Sequence, residues 1–138
     1  MLLTTRARYA IMATVDLSKH AIDKPAKMAD IAERQDISAN YLEQILNVLK
    51  HAEIVDAVKG PGGGYKLKNS SDELYIADII KAVAEPVKFT KCGETKPCSN
   101  KNAKCQTHAL WKGLERNIVS YLSAISVSDV SQGKIANL

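Results

Sequence analysis

Met28-Ala29-Asp30-Ile31-Ala32-Glu33-Arg34-Gln35-Asp36-Ile37-Ser38-Ala39-Asn40-Tyr41-Leu42-Glu43-Gln44-Ile45-Leu46-Asn47-Val48-Leu49-Lys50 is the stretch on which the fold turns. Leu42, Ile45, Leu46 and Leu49 recur at i, i+3, i+4 and i+7, the spacing that collects apolar groups on one face of an α-helix. Ser38 stands where an N-cap hydroxyl would accept a hydrogen bond from the first turn of that helix. Upstream, Met28, Ile31 and Ala32 form the inward face of a shorter helix from about Lys27 to Gln35, and Asp36-Ile37-Ser38 leaves room only for a tight connection. The pattern predicts two short helices joined by a turn. The second turns at least part of Ala39, Asn40, Tyr41, Glu43, Gln44, Asn47 and Lys50 away from the core.

Reading outward, Glu53-Ile54-Val55-Asp56-Ala57-Val58-Lys59 mixes β-branched and polar residues like a short strand. Gly60-Pro61-Gly62-Gly63-Gly64 cannot continue a strand but can reverse the chain, and Tyr65-Lys66-Leu67-Lys68 is the expected return. Leu74-Tyr75-Ile76 is expected as a third, edge element, followed by a helix over Ala77 to Ala84 that Pro86 stops. On the other side, Thr4 or Thr5 can cap a helix reaching about His20, with Tyr9, Ala10, Ala13 and Leu17 on one face, and Asp23-Lys24-Pro25 is a turn. Two helices, a turn and a hairpin in this order predict a mainly α fold with a small β wing: a winged helix-turn-helix head.

The 138 residues suffice for one ordinary domain with an appendage, and 46% hydrophobic content for a single core. No basic region precedes a sustained apolar run at the start, and no stretch reaches the ~20 apolar residues of a membrane span. The expectation is a soluble, cytoplasmic protein with no membrane partner. No Ser-His-Asp or paired-carboxylate arrangement has credible spacing, so an enzyme is not expected. Polarity shifts along the chain suggest a folded head over 1–85, a loop over 86–108, and a long C-terminal helix with a tail over 109–138.

The net charge of +4 is mild, so its placement matters more than its size. Lys59, Lys66 and Lys68 lie in a stretch with no acid, and Lys88, Lys91, Lys96, Lys101, Lys104 and Lys112 surround the cysteines. A helix about 10 to 12 Å thick fits the major groove of duplex DNA, where its exposed polar groups meet base edges. Ser38, Asn40 and Gln44 supply donors and acceptors for that task, and the Tyr41 hydroxyl can reach a phosphate. Lys59 and Gly60 of the wing would lie against the backbone or in the minor groove. Glu43 is either a base reader accepting from cytosine N4 or a solvated residue with a local ion-pair partner. Short helix pairs are common, and ordinary core packing explains the apolar stripe as well. A glycine-rich phosphate cradle is a weaker account of the Gly60–Gly64 run, because no helix opens directly after it.

Cys92, Cys98, Cys105 and His108 are separated by five, six and two residues. Cys105 and His108 stand i, i+3 at the expected start of the long helix, and Cys92 and Cys98 come from the polar loop before it. Thiolates and one imidazole suit zinc or an iron–sulfur cluster, and spacing alone favours zinc, for which three cysteines and a histidine are an ordinary structural set. His20 and His51 are expected at the surface or core edge rather than as ligands.

The sequence resembles the Rrf2 family of winged-helix regulators, and within it those that carry an iron–sulfur cluster. The resemblance runs through Leu3-Thr4, Arg8-Tyr9-Ala10, Ala29-Asp30-Ile31, Glu33-Arg34-Gln35, Ile37-Ser38, Tyr41-Leu42-Glu43-Gln44, Gly60-Pro61-Gly62-Gly63-Gly64-Tyr65 and Thr107-His108-Ala109-Leu110-Trp111. It implies a homodimer on a double-stranded DNA operator, with Ser38, Asn40, Tyr41, Glu43 and Gln44 in the reading positions. It also implies a [2Fe–2S] cluster on Cys92, Cys98, Cys105 and His108, with iron–sulfur assembly proteins as candidate partners. Lys59 stands where such cluster regulators commonly carry arginine, keeping the charge without the planar fork.

Leu110, Leu114, Ile118, Tyr121, Leu122 and Ile125 form an apolar stripe that a lone helix could not bury; it must pack on the head or on a second copy. The resemblance selects the second copy, making this a dimerisation helix. The expected function is a transcription regulator whose operator binding a [2Fe–2S] cluster controls, reporting iron–sulfur or redox status. The alternatives are a cluster carrier or assembly accessory, and a zinc-stabilised regulator that senses nothing.

Overall fold

The computed structural model describes residues 3–83, 87–88 and 105–135. Its elements are α1 (Thr5–His20), α2 (Met28–Gln35), α3 (Ala39–His51), β1 (Val55–Val58), β2 (Gly64–Leu67), α4 (Ile76–Ala82), α5 (His108–Ser123) and α6 (Val127–Ser131). The expected mainly α architecture with a two-stranded wing is what forms.

Helix α1 is the axis of the head. Thr4 caps it, its Oγ1 accepting from Ala7 N at 3.4 Å. Ala7, Ala10 and Ala13 are fully buried, and these short side chains let α2, α3, α4 and α6 approach closely. Leu17, Ile31, Leu42, Ile45, Leu46, Leu49, Val55, Ile79 and Val127 complete the centre of the core. Burying the four apolar residues of α3 contributes about 1.5 to 3 kcal/mol each before chain entropy is counted.

The link from α2 to α3 is tight. Asp36 takes a left-handed conformation at φ 53°, a strain a short polar residue tolerates better than most. Ile37 N then donates to Ala32 O at 3.0 Å, closing the end of α2 while the Ile37 side chain enters the core. Ser38 Oγ accepts from Tyr41 N at 3.3 Å and starts α3.

In the wing, β1 and β2 pair antiparallel with Val55 opposite Leu67 and Val58 opposite Gly64. Gly63 N donates to Gly60 O at 2.9 Å across Pro61 and Gly62. Proline then glycine at φ +75° is the arrangement of a type II turn, which needs a positive φ at its third position. On its outer side β2 bonds to Ala26, with Ala26 N donating to Tyr65 O at 2.9 Å and Tyr65 N to Ala26 O at 2.8 Å. A side chain at Gly64 would collide with the Ala26 carbonyl, so this close approach requires glycine.

Two expectations are corrected. Leu74-Tyr75-Ile76 does not add an edge strand to the wing. Instead, Tyr75 forms a single bridge with Ser126, Ile76 N donates to Ile125 O at 3.0 Å, and Val127 N donates to Leu74 O at 2.8 Å. Helix α4 begins at Ile76, where the Asp78 carboxylate accepts from Tyr75 N at 3.3 Å and favours a helix start over extended pairing. It ends at Ala82; the expected stop at Pro86 lies outside the described residues. The long C-terminal helix also ends at Ser123, short of the last member of its expected stripe, Ile125. Ser126 Oγ accepts from Asp129 N at 3.0 Å while the Asp129 carboxylate accepts from Ser126 N at 2.9 Å, a reciprocal cap that opens α6. With Val127 wholly buried, α6 packs on α1, so the segment after α5 returns to the core of the head.

The stripe of α5 divides. Leu122 and Ile125 pack against the core and Ile118 is half-buried, whereas Leu110 (61% exposed), Leu114 (37%) and Tyr121 (43%) face outward.

Candidate nucleic-acid interface and metal segment

Burial of Leu42, Ile45, Leu46 and Leu49 turns the opposite side of α3 outward, leaving Ser38, Asn40, Glu43, Gln44, Asn47 and Lys50 exposed. Ser38 uses one lone pair to cap the helix, and its hydroxyl proton remains to donate outward. Tyr41 is half-buried, its ring meeting Tyr9 of α1 edge-on with centroids 5.7 Å apart. Packing thus sets the direction of its hydroxyl. Among the described residues Glu43 has no ion-pair partner, so its carboxylate stands exposed beside Gln44.

Lys59 and Gly60 are exposed at the tip of the wing, and Gly60 adopts φ +94°. The lysine-only stretch seen in the sequence acquires acids in the fold. Lys66 lies opposite Asp56 in the strand register, and Lys68 Nζ donates to Glu53 Oε1 at 3.0 Å. That hydrogen bond raises the Lys68 ammonium above its ordinary pKa, with the charges of Glu53 and Asp56 adding to it. Lys59 is therefore the wing cation left most open to a polyanion.

Sequence reasoning missed a buried ionic centre behind this surface. Asp16 on α1 is buried, and its carboxylate accepts from Arg34 Nε at 2.9 Å, Arg34 Nη2 at 2.7 Å and Gln35 Nε2 at 2.8 Å. Burial acts to raise the Asp16 pKa, but hydrogen bonds from Arg34 and Gln35 and the charges of Arg34 and His20 outweigh it and hold the carboxyl below its usual range. The signal was present: a carboxylate three residues after Ala13 and next to Leu17, beside the apolar face of a helix, requires a partner.

Cys105 and His108 stand at the start of α5, joined through the backbone. His108 opens the helix and its N–H donates to Cys105 O at 3.0 Å, while Cys105 Sγ lies 3.5 Å from Thr107 Oγ1. Both residues are half-buried. The positive end of the helix dipole favours a thiolate there, so these two donors fit a soft metal centre. Cys92 and Cys98 lie outside the described residues, and among the described residues no three Cys, His, Asp or Glu side chains gather as a metal site. His20 is exposed, and His51 Nδ1 donates to Asn47 O at 2.7 Å within its own helix. No helix among the described residues is long and apolar enough to cross a membrane.

Residues 3–133 match the Rrf2 family, described as an iron-dependent transcriptional regulator. The HTH-type transcriptional regulator IscR of Aliivibrio salmonicida is 43% identical over 130 residues, covering 94% of this chain and 77% of that protein. The IscR of Vibrio cholerae is 41% identical over 130 residues, covering 94% and 75%. Among solved structures, T. potens IscR superposes with a TM-score of 0.79 at 28% identity, covering 97% of this chain and 88% of that one. CymR, the global cysteine regulator of B. subtilis, gives a TM-score of 0.81 at 23% identity with coverage of 96% and 97%, a likeness of fold alone.

Proposed function

Because the chain belongs to the Rrf2 family of transcription regulators, we propose that it is a cytoplasmic homodimer that reads a duplex operator through α3 and the wing under control of a [2Fe–2S] cluster. The observation that carries DNA reading is the outward polar face of α3, with Asn40, Glu43 and Gln44 exposed above a fully buried stripe and Lys59 exposed on the wing. Ser38, Asn40 and Gln44 meet base edges, Glu43 accepts from a cytosine amine, Tyr41 reaches a phosphate, and Lys59 with Gly60 follows the backbone beside the groove. Two copies joined through the exposed Leu110, Leu114 and Tyr121 of α5 would set these faces about one duplex turn apart.

Cys92, Cys98, Cys105 and His108 would hold the cluster, which supplies one-electron chemistry and sensitivity to iron supply and oxidants. The pairing of Cys105 with His108 at one helix start supports this reading. Cluster binding ahead of α5 would be felt by the head, since the chain after α5 is bonded to residues 74–76 and packs on α1 through α6. Iron–sulfur assembly proteins are the candidate donors of the cluster.

The donor chemistry also favours a second reading, a zinc-stabilised regulator, because three thiolates and an imidazole form an ordinary zinc set. Anaerobic purification separates the two. A red-brown protein containing iron and sulfide, whose operator affinity at fixed salt changes when the cluster is removed, supports the sensor. A colourless protein with stoichiometric zinc, or equal affinity in both states, overturns it.

A further inference from the structure

We infer that Asp16 is a positioning residue for DNA reading: its buried carboxylate clamps Arg34 and Gln35 at the end of α2 and thereby fixes the angle at which α3 presents Glu43 and Gln44. The inference rests on α3 being the reading helix. Asp16 lies on the central helix, eighteen residues before Arg34, with its side chain 0% exposed. All three hydrogen bonds it accepts come from the last two residues of α2. Directly after them the chain turns through left-handed Asp36, buries Ile37 and enters α3 at Ser38. Whatever fixes Arg34 and Gln35 on α1 therefore fixes the pivot from which α3 departs.

The type of contact matters. Apolar contacts between α1 and α2 resist separation but tolerate small slides. A guanidinium held by both oxygens of one carboxylate, with Gln35 as a further donor, has a single good geometry. A buried ion pair also adds little net stability over an apolar contact of equal size, because desolvation offsets most of the attraction. Its effect here lies in orientation. Base readout needs groups held within about 0.5 Å, so a small rotation of α3 lowers affinity for the right sequence more than for any sequence.

The experiment uses the full chain, purified anaerobically as expressed, with two duplexes: one selected by the wild-type protein from a random-sequence pool, and a shuffled duplex of equal composition. Affinities are measured at fixed salt, well below the melting temperature of each variant. Asp16→Asn keeps the shape but removes the charge, and Arg34→Lys keeps the charge but removes the fork. Each is expected to lower the selected-to-shuffled ratio about tenfold while shuffled-duplex binding and its salt slope stay as in wild type. Gln44→Ala should lower the ratio in wild type and lower it less in the Asp16→Asn background. Variants that melt earlier but keep the wild-type ratio overturn the proposal, leaving Asp16 with a stabilising role only. If Asp16→Asn does not fold, Arg34→Lys decides by the same ratio, since the Arg34 side chain is 32% exposed and the change is mild. A Gln44→Ala protein with an unchanged ratio in the wild-type background would instead overturn the assignment of α3, an outcome distinct from failure of the Asp16 clamp.

Discussion

The ring of Tyr9 on α1 meets the ring of Tyr41 on α3 edge to face, with centroids 5.7 Å apart and planes at 69°. This contact ties the start of α3 to the axis of the head and aims the Tyr41 hydroxyl. An edge-to-face pair contributes about 0.5 to 1.5 kcal/mol beyond the area it buries. Tyr41→Phe should leave the melting temperature nearly unchanged and weaken binding to all duplexes alike, as loss of one phosphate contact requires. Tyr9→Ala should destabilise by about 2 to 3 kcal/mol and, by freeing the Tyr41 ring, also weaken binding to all duplexes. Melting curves and salt-dependent binding of the two variants check both.

Asp16 gives stability a dependence on acid. Its folded pKa lies below the ordinary value, so the stability it contributes is fully present above the unfolded pKa, about 3.9, and is lost as pH falls through the folded pKa. Arg34 and His20 are the charges that favour the carboxylate. Asp16→Asn should cost about 2 kcal/mol at neutral pH, less than a fully enclosed pair because the Arg34 side chain remains 32% exposed to water. In urea unfolding, the gap between wild type and Asp16→Asn should be fully present at about pH 5 and narrow below about pH 4. A gap that widens below about pH 4 would refute the sign.

Those residues also show what the sequence could and could not disclose. The α2–α3 unit was legible because its information is local: Leu42, Ile45, Leu46 and Leu49 mark one face, Ser38 caps, and Asp36 turns. The Gly60–Gly64 hairpin was legible for the same reason. The Asp16–Arg34 pair was not, since its partners lie eighteen residues apart and only the crossing of α1 with α2 joins them. The edge strand expected at Leu74–Ile76 failed for a related reason: short alternating residues bond to whatever the fold brings near, and here that was residues 125–127. The Ser126–Asp129 cap was visible in principle, but the continuing apolar pattern from α5 obscured it. The polar residues on α3 were placed outward by the stripe, whereas the acids beside Lys66 and Lys68 emerged only from strand register.

The wing offers a test in which backbone and charge separate. Gly62→Ala places a Cβ at φ +75° in open space, so its penalty is conformational, about 1 to 2 kcal/mol, and the hairpin should still form. Gly64→Ala drives a Cβ into the Ala26 carbonyl and should break the Ala26–Tyr65 pairing, with a larger loss of stability and faster amide exchange at Ala26 and Tyr65. Lys59→Ala should leave stability within about 0.5 kcal/mol of wild type, weaken binding to all sequences, and reduce the salt slope by about one. Equal effects of Lys59→Ala and Gln44→Ala on sequence discrimination would remove the division between backbone and base contacts.

The outward face of α5 tests the assembly. Leu110 at 61% and Leu114 at 37% exposure stand one turn apart, and Tyr121 at 43% continues the same side of the helix. Water would oppose leaving such a row uncovered, and burying a leucine contributes about 1.5 to 3 kcal/mol per side chain. Leu114→Glu places a charge in that row without touching the core, so the monomer should retain its helical content. In a symmetric dimer the substitution acts twice, on the residue and on its copy, and sedimentation should show a monomer at concentrations where wild type is dimeric. Operator affinity should then fall steeply, because each half-site must be bound without its linked neighbour, while affinity for an isolated half-site should stay near that of a wild-type head. A Leu114→Glu protein that sediments as wild type would place the two-fold contact elsewhere, and one that becomes monomeric yet keeps full operator affinity would show that a single head suffices for recognition.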